Sequence, residues 1–113
     1  MKKDSLIFIS HILESIKNIE SFSKNISESE FMKNRYSQSA VIRELEIIGE
    51  ASKNLPDNFK KEYSDINWKD IIGTRDKIIH NYFGVDLKII WDIIRTDLPR
   101  LKKDIEKIIK ENY

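Results

Sequence analysis

A short stretch of the sequence, residues 75 to 82, holds the side chains best suited to chemistry. Arg75, His80 and Tyr82 lie within eight positions, and Asp76 and Asn81 lie beside them. Histidine accepts and donates protons near neutral pH. The planar guanidinium of arginine matches phosphate oxygens and stabilises the negative charge that develops on them. The residue types therefore indicate acid–base chemistry on a phosphate-bearing substrate.

The sequence offers little for other kinds of catalytic site. It has no cysteine and only two histidines, so no cluster of typical metal ligands is expected. It also lacks a glycine-rich phosphate loop and a Gly-x-Ser-x-Gly elbow. Glu46 and Glu50 are spaced as a helical pair of carboxylates, which is common on the flanks of helices. We expect neither a metal nor a cofactor.

Length and composition favour a small helical protein. The 113 residues are predicted to form one domain, 1–113, and 3 glycines and 2 prolines leave few tight turns. The 20 basic and 19 acidic residues nearly cancel, so any contact with nucleic acid would be local. No stretch is apolar enough to cross a bilayer, and we expect a cytoplasmic protein without a membrane partner.

Apolar residues recur at intervals of three and four along four segments, as they do on the buried side of helices. These segments are Asp4 to about Lys24, Ser37 to Leu55, Trp68 to Tyr82, and Leu87 onward. Ser27, Asn67 and Asp86 are predicted to cap helices. Residues 56 to 67 read as a connector with one helical turn. The predicted architecture is an antiparallel four-helix bundle with a short extra helix or connector.

Pro99 lies inside the last periodic segment. The apolar spacing continues through it from Ile94 to Ile108 without a change of phase. This pattern predicts one long helix bent at the proline. The alternative is two abutting helices, the second capped by Asp97.

Arg75 and His80 fall on different faces of their predicted helix. Arg75 lies on the apolar side, where it either pairs with Glu46 or Glu50 inside the bundle or points into a cleft. His80 is rotated from it by about 140°. Asp76 is placed to fix the tautomer of His80, which is otherwise an ordinary surface histidine. The two side chains can meet if the helix loosens near residue 81 or if a second subunit completes the site.

Two further side chains have simpler interpretations. Tyr82 shares the face of Arg75, where an ordinary half-buried tyrosine is the alternative to a functional one. His11 on the first helix has no polar group around it in the sequence pattern. We therefore predict that it lies at the surface or at a rim.

The pattern Arg75-x-x-x-x-His80-x-Tyr82 resembles the signature of the HEPN superfamily (higher eukaryotes and prokaryotes nucleotide-binding domains). It is most similar to the branch of HepT toxins. The similarity extends over roughly residues 1 to 110, through 40–51, 68–75 and 80–86, and then through Trp91 and Leu98-Pro99. Asp76 takes a position where family members often carry asparagine.

This resemblance implies a HEPN-like homodimer with the motifs near the dimer cleft. It implies a toxin that cleaves RNA without a metal, within a type II or type VII toxin–antitoxin pair. Its antitoxin would be a minimal nucleotidyltransferase that binds the toxin and transfers AMP to Tyr82. His80 would be the general acid or base and Arg75 the phosphate clamp. Asp76 and Asn81 would orient these groups, and Tyr82 would also position the substrate.

Two other functions fit the same residues. The chain could be a non-catalytic helical dimer that binds a nucleotide or a protein. It could also be a purely structural bundle in which Arg75 pairs with Glu46 or Glu50. A set of basic residues on the last predicted helix is a plausible RNA flank or an ordinary solvated face, and comprises Arg95, Arg100, Lys102, Lys103, Lys107 and Lys110.

Overall fold

The computed structural model describes residues 2–80 and 86–113, without the side chains of residues 2, 75 and 77–80. These residues form helices and connections, with no strand in the described ranges, so the predicted all-α class is confirmed. The α-helices are α1 Lys2–Ser23, α2 Glu28–Lys33, α3 Arg35–Lys53, α4 Asp57–Glu62, α5 Trp68–His80, α6 Leu87–Asp92 and α7 Leu98–Asn112. A π-helical segment, Ile93–Asp97, joins α6 to α7.

Side-chain caps set where several helices begin. Ser27 and Glu30 form a reciprocal capping box at α2, and Asp86 accepts a hydrogen bond from the N–H of Lys88 at α6. Both predicted caps are confirmed. The second long helix begins at Arg35 rather than Ser37, because Asn34 Oδ1 accepts the Ser37 N–H at 3.0 Å. It ends at Lys53, before the predicted Leu55.

The core is built from the predicted apolar stripes. α3 packs against both α1 and α5, and α7 packs back on α1. The buried residues of α1, α3 and α7 include Ile9, Ile12, Ile16, Ile19, Val41, Leu45, Ile48, Leu98, Leu101, Ile105 and Ile108. On α5, Trp68 is buried but Ile71 and Ile72 are only half-buried. The helix that carries the motif therefore lies at an edge of the bundle.

The backbone stays helical across Pro99, as predicted for one continuous helix. The departure from α geometry precedes the proline. The Leu98 N–H donates to the Ile93 carbonyl, five residues back, which widens this turn into a π-helix. Pro99 has no N–H to donate and its ring crowds the preceding turn, so a wider turn here relieves the clash. Asp97 makes no side-chain cap, so a separate helix capped by that residue is not what the structure shows.

Two contacts give the direction of α5 relative to its neighbours. Asn112 Nδ2, at the end of α7, donates to Tyr63 Oη at 3.0 Å, and Trp68 Nε1 donates to the Tyr63 carbonyl at 3.1 Å. α5 therefore starts at the end of the bundle where α7 finishes. Near the start of α7, Lys102 pairs with Glu20 close to the end of α1. The C-terminal end of α5 thus points toward the end of the bundle where α1 stops.

Candidate functional site at helix α5

The start of α5 is held by polar contacts on the side chain of Asn67. Asn67 Oδ1 accepts the Asp70 N–H at 3.1 Å, and Asn67 Nδ2 donates to Asp70 Oδ2 at 2.8 Å. Thr74 Oγ1 then donates back to the Asp70 carbonyl at 2.9 Å. The predicted Asn67 cap is confirmed, and it fixes the first two turns of the helix that carries the motif.

The motif residues divide between described and undescribed positions. The backbones of Arg75, Asp76 and His80 belong to α5, and Asp76 is exposed. The side chains of Arg75 and His80 lie outside the described part, as do residues Asn81 and Tyr82 entirely. The helix is α-helical through His80. Arg75 and His80 are therefore about 140° apart around one regular helix, as predicted.

A cleft of about 430 Å³ flanks α5 on the side of Thr74. We call it the acidic cleft, because buried and half-buried aliphatic residues form its floor while four aspartates line it. It is lined by Leu45, Ile48, Asp65, Ile66, Asn67, Asp70, Ile71, Thr74, Ile93, Asp97, Leu98, Arg100, Leu101 and Asp104. The negative charge of this wall would repel the phosphates of RNA.

A shallower groove of about 920 Å³ flanks α5 on its other side. We call it the lysine groove, after Lys60 and Lys61 of α4 and Lys69 of α5, although three aspartates line it as well and balance the charge of the lysines. Gly73 and Asp76 also line it, and His80 follows them by seven and four residues, so all three positions share one side of α5. A Cβ atom on Gly73 would meet nothing within 4 Å, so the groove is open beside the helix. The lysine groove therefore leads along the face of His80.

His11 lies in a more polar setting than its sequence neighbours indicate. It is exposed, as predicted, but it lines a cleft of about 400 Å³ together with Arg43, Glu46 and Glu50 of α3. The expectation of no polar group around it is therefore wrong. Packing of α1 on α3 brings these residues together, which the periodicity of α1 alone does not reveal. Glu46 Oε2 lies 3.9 Å from Arg43 Nη1.

Arg95, one of the basic residues noted on the last helix, has a structural role. Its guanidinium carbon lies 4.3 Å from the ring centroid of Trp91, a cation–π contact. Its Nη2 donates to the carbonyls of Ser23 at 3.4 Å and Ile26 at 3.0 Å. Arg95 therefore ties the π-helical segment to the end of α1, a role that helical spacing did not indicate.

Metal sites and membrane spans are both absent from the described part of the chain. Residues 2–80 and 86–113 contain no group of three or more His, Asp or Glu side chains placed to hold a metal ion. Over the same ranges, none of the helices combines the length and the apolar character needed to cross a membrane.

Comparison with known proteins gives one consistent result. The model of the family "Ribonuclease HepT-like" matches residues 12–108, which include the whole of 75 to 82. A Methanocaldococcus jannaschii protein named "Gamma-glutamylcyclotransferase and putative RNase" is 48% identical over 98% of this chain, which spans 50% of that relative's length. A second relative from the same organism, named "Putative RNase", is 47% identical over 97% of this chain and 91% of its own length. "Probable ribonuclease HepT" of Thermococcus cleftensis is 44% identical over 97% of this chain and 100% of its own. No solved structure matches.

Proposed function

This chain belongs to the ribonuclease HepT-like family, and from that premise we propose that it is a metal-independent endoribonuclease acting through Arg75 and His80. The family match confirms the predicted HepT-like family and, with it, the ribonuclease class of enzyme. The observation that carries the proposal is that the family match runs across the entire motif, residues 75 to 82.

The chemistry needs only groups that the motif and the substrate supply. His80 removes the proton from a ribose 2′-hydroxyl, and the 2′-oxygen attacks the adjacent phosphorus. Arg75 holds the non-bridging oxygens as negative charge grows on them. The bond to the 5′-oxygen breaks, and that oxygen takes a proton from a second acid. The products are a 2′,3′-cyclic phosphate and a 5′-hydroxyl end. Asp76 and Asn81 orient these groups, and Tyr82 positions the substrate.

A second copy of the chain supplies what one α5 lacks. Arg75 and His80 are about 140° apart on a helix that is regular through His80, so one copy does not place them on a common face. Across a two-fold axis, Arg75 of one protomer approaches His80 of its partner, so that each of two equivalent sites takes one residue from each protomer, and water is the acid for the leaving oxygen. We therefore propose a homodimer whose site forms between protomers, beside the open lysine groove on the His80 side of α5.

Mixing two inactive variants tests this shared site. Arg75→Ala and His80→Ala are each expected to be inactive, but a heterodimer would pair the intact Arg75 of one chain with the intact His80 of the other. Because half of randomly mixed dimers are heterodimers with one of two sites restored, about a quarter of wild-type RNA cleavage should return. The measurement is cleavage of a labelled RNA after the variants are unfolded together and refolded. A mixture as inactive as its components would place the site within one chain.

The chain is further proposed to be the toxin of a toxin–antitoxin pair. The support is the resemblance of its motif to the HepT branch and the relative named "Probable ribonuclease HepT". Its partner would be a nucleotidyltransferase antitoxin that transfers AMP from ATP to the Tyr82 hydroxyl, with release of pyrophosphate. A bulky anion there would block RNA by sterics and charge.

Mass spectrometry after co-expression with a neighbouring nucleotidyltransferase gene tests this regulation. An AMP adduct is expected on the peptide that contains Tyr82, and Tyr82→Phe should abolish it. Tyr36→Phe is the matched control, because Tyr36 is 90% exposed and remote in sequence from the motif. Neutralisation of Tyr82→Phe as complete as that of the wild type would show that the antitoxin acts by binding alone.

A further inference from the structure

A second charged cleft lies away from the motif, between the last turns of α1 and the start of α7. Its volume is about 620 Å³, and we call it the basic cleft. Four cationic side chains line it against one carboxylate, Glu20, although the whole chain carries a formal charge of only +1. The cations are Lys17, Lys24, Arg95 and Lys102. The positive charge of a nearly neutral chain is therefore locally concentrated here.

The single carboxylate of this cleft is already neutralised. Lys102 Nζ lies 3.0 Å from Glu20 Oε1 and donates to Oε2 at 3.2 Å. The hydrogen bond with Glu20 raises the pKa of Lys102 above its usual value, although desolvation lowers that pKa, and attraction from Glu20 and Glu106 adds to the rise. Lys102 therefore stays charged and neutralises the carboxylate of Glu20. The other three cations of the cleft form no ion pair within the described part of the chain.

Those three cations have donors to offer a ligand. Both hydrogen bonds that Arg95 makes with the described residues come from Nη2, which leaves Nε and Nη1 as donors there, and stacking on Trp91 holds the guanidinium in place. Lys17 and Lys24 are exposed, and within residues 2–80 and 86–113 neither makes an ion pair or a side-chain hydrogen bond. The cleft thus combines a fixed planar donor with two mobile ammonium groups.

The helix dipole explains only part of this arrangement. Cations are favoured near the C-terminal end of a helix, and Arg95 and Lys24 lie at the end of α1. Lys17 lies almost two turns earlier, and the dipole effect fades within the last turn. The dipole of α1 therefore does not account for the position of Lys17 beside Arg95 in the cleft.

The basic cleft lies at the end of the bundle toward which the motif points. α5 begins beside Tyr63 and the end of α7, and it runs toward the end where α1 stops. Arg95 contacts that end of α1 through the Ser23 carbonyl. An extended single strand of RNA, whose phosphates repeat along the backbone, can pass from the motif over this end of the molecule.

We propose that the basic cleft binds phosphate groups of RNA that lie outside the cleavage site. The choice of RNA over a free nucleotide, whose phosphates have the same chemistry, rests on the proposed ribonuclease function. Each phosphate held by a lysine releases a counterion, so the salt dependence of binding reports these contacts directly.

Binding of a single-stranded RNA with methylated 2′-hydroxyls to the full chain tests the proposal. This probe cannot be cleaved, because its nucleophile is blocked. The double variant Lys17→Ala/Lys24→Ala should bind roughly tenfold more weakly at low salt. Its slope of log affinity against log salt should be shallower by about 1.4, because each phosphate of a single strand that a lysine neutralises adds about 0.7 to the slope. Lys33→Ala/Lys53→Ala is the matched control, since it removes the same charge from exposed positions of α2 and α3 outside the cleft.

Equal slopes for the two double variants, or no binding of the probe at all, would overturn the proposal. Unchanged RNA binding with loss of ATP or inorganic phosphate binding would assign the cleft to a free nucleotide instead. A shallower slope in a protein that fails to cleave ordinary RNA would keep the basic cleft and reject the proposed catalysis. RNA cleavage by the wild type, together with equal slopes for the two double variants, would keep the proposed catalysis and reject RNA binding at the basic cleft.

Discussion

Replacing His80 by alanine should slow RNA cleavage by about 10²–10⁴-fold, the usual contribution of a positioned acid or base. Replacing Arg75 by alanine should slow it by about 10²–10³-fold, because a donor to the developing charge on phosphorus is removed. Both effects should appear in the rate at saturating RNA, since the removed groups act on the transition state. The assay is single-turnover cleavage of a labelled RNA in the presence of EDTA, which the proposed mechanism tolerates.

The histidine outside the motif, His11, provides the control. His11 is exposed on α1, so His11→Ala removes the same kind of side chain and should cleave at the parent rate. Circular dichroism and sedimentation must show all three variants folded and in the parent's oligomeric state. If Arg75→Ala and His80→Ala cleave as fast as the parent, the motif is not catalytic. A folded dimer without cleavage in the wild type would favour the non-catalytic binding function.

Truncating Phe31 should be the most costly single change to the core. Its side chain is fully buried, and its ring centroid lies 5.3 Å from that of Trp91 in a tilted contact. Phe31→Ala is expected to lower the free energy of unfolding by about 3–5 kcal/mol, through reduced apolar burial and the cavity left behind. Because this contact joins α2 to α6, the substitution affects how two short helices pack. Urea denaturation followed by circular dichroism measures it.

Tyr36, which is 90% exposed near the start of α3, gives the matched comparison. Tyr36→Ala removes an aromatic ring of similar size but should change the free energy of unfolding by less than about 0.5 kcal/mol. A decrease below about 1 kcal/mol for Phe31→Ala would mean that α2 contributes little to the stability of the bundle.

Local features of the fold were predictable because they depend on neighbours in sequence. Ser27, Asn67 and Asp86 lie just before apolar repeats, and each caps a helix as expected. The error at the start of α3 has a similar local cause. Asn34 and Ser37 are both plausible caps, and the hydrogen bond between them makes Asn34 the boundary.

Features that depend on contacts between helices were not predictable. The polar surroundings of His11 come from α3, more than thirty positions away. The basic cleft joins Lys17 to Arg95 from opposite halves of the chain. The π-helical turn before Pro99 keeps the apolar phase of the sequence, so the pattern gave no sign of it. Periodicity reports which face of a helix is buried, but not what that face meets.

For the candidate site, residue types and spacing carried the inference. The chemistry of Arg75, His80 and Tyr82 can be inferred without reference to any helix, and the structure places the first two on one regular helix. The expectation that they face apart follows from helix geometry alone. Their joining across a dimer stays a prediction, because it depends on a second chain.

The packing of α7 on α1 affects how fast the chain folds. Lys102 and Glu20 lie 82 positions apart, and the part of α1 that α3 does not cover is buried only when these distant segments meet. Closing a loop of that length costs roughly 4 kcal/mol of chain entropy before any contact repays it. Folding rates fall as contacting residues become more distant in sequence. This helical chain therefore shares a kinetic constraint more familiar in β-sheet proteins, and one side of its first helix stays exposed until its last helix packs on it.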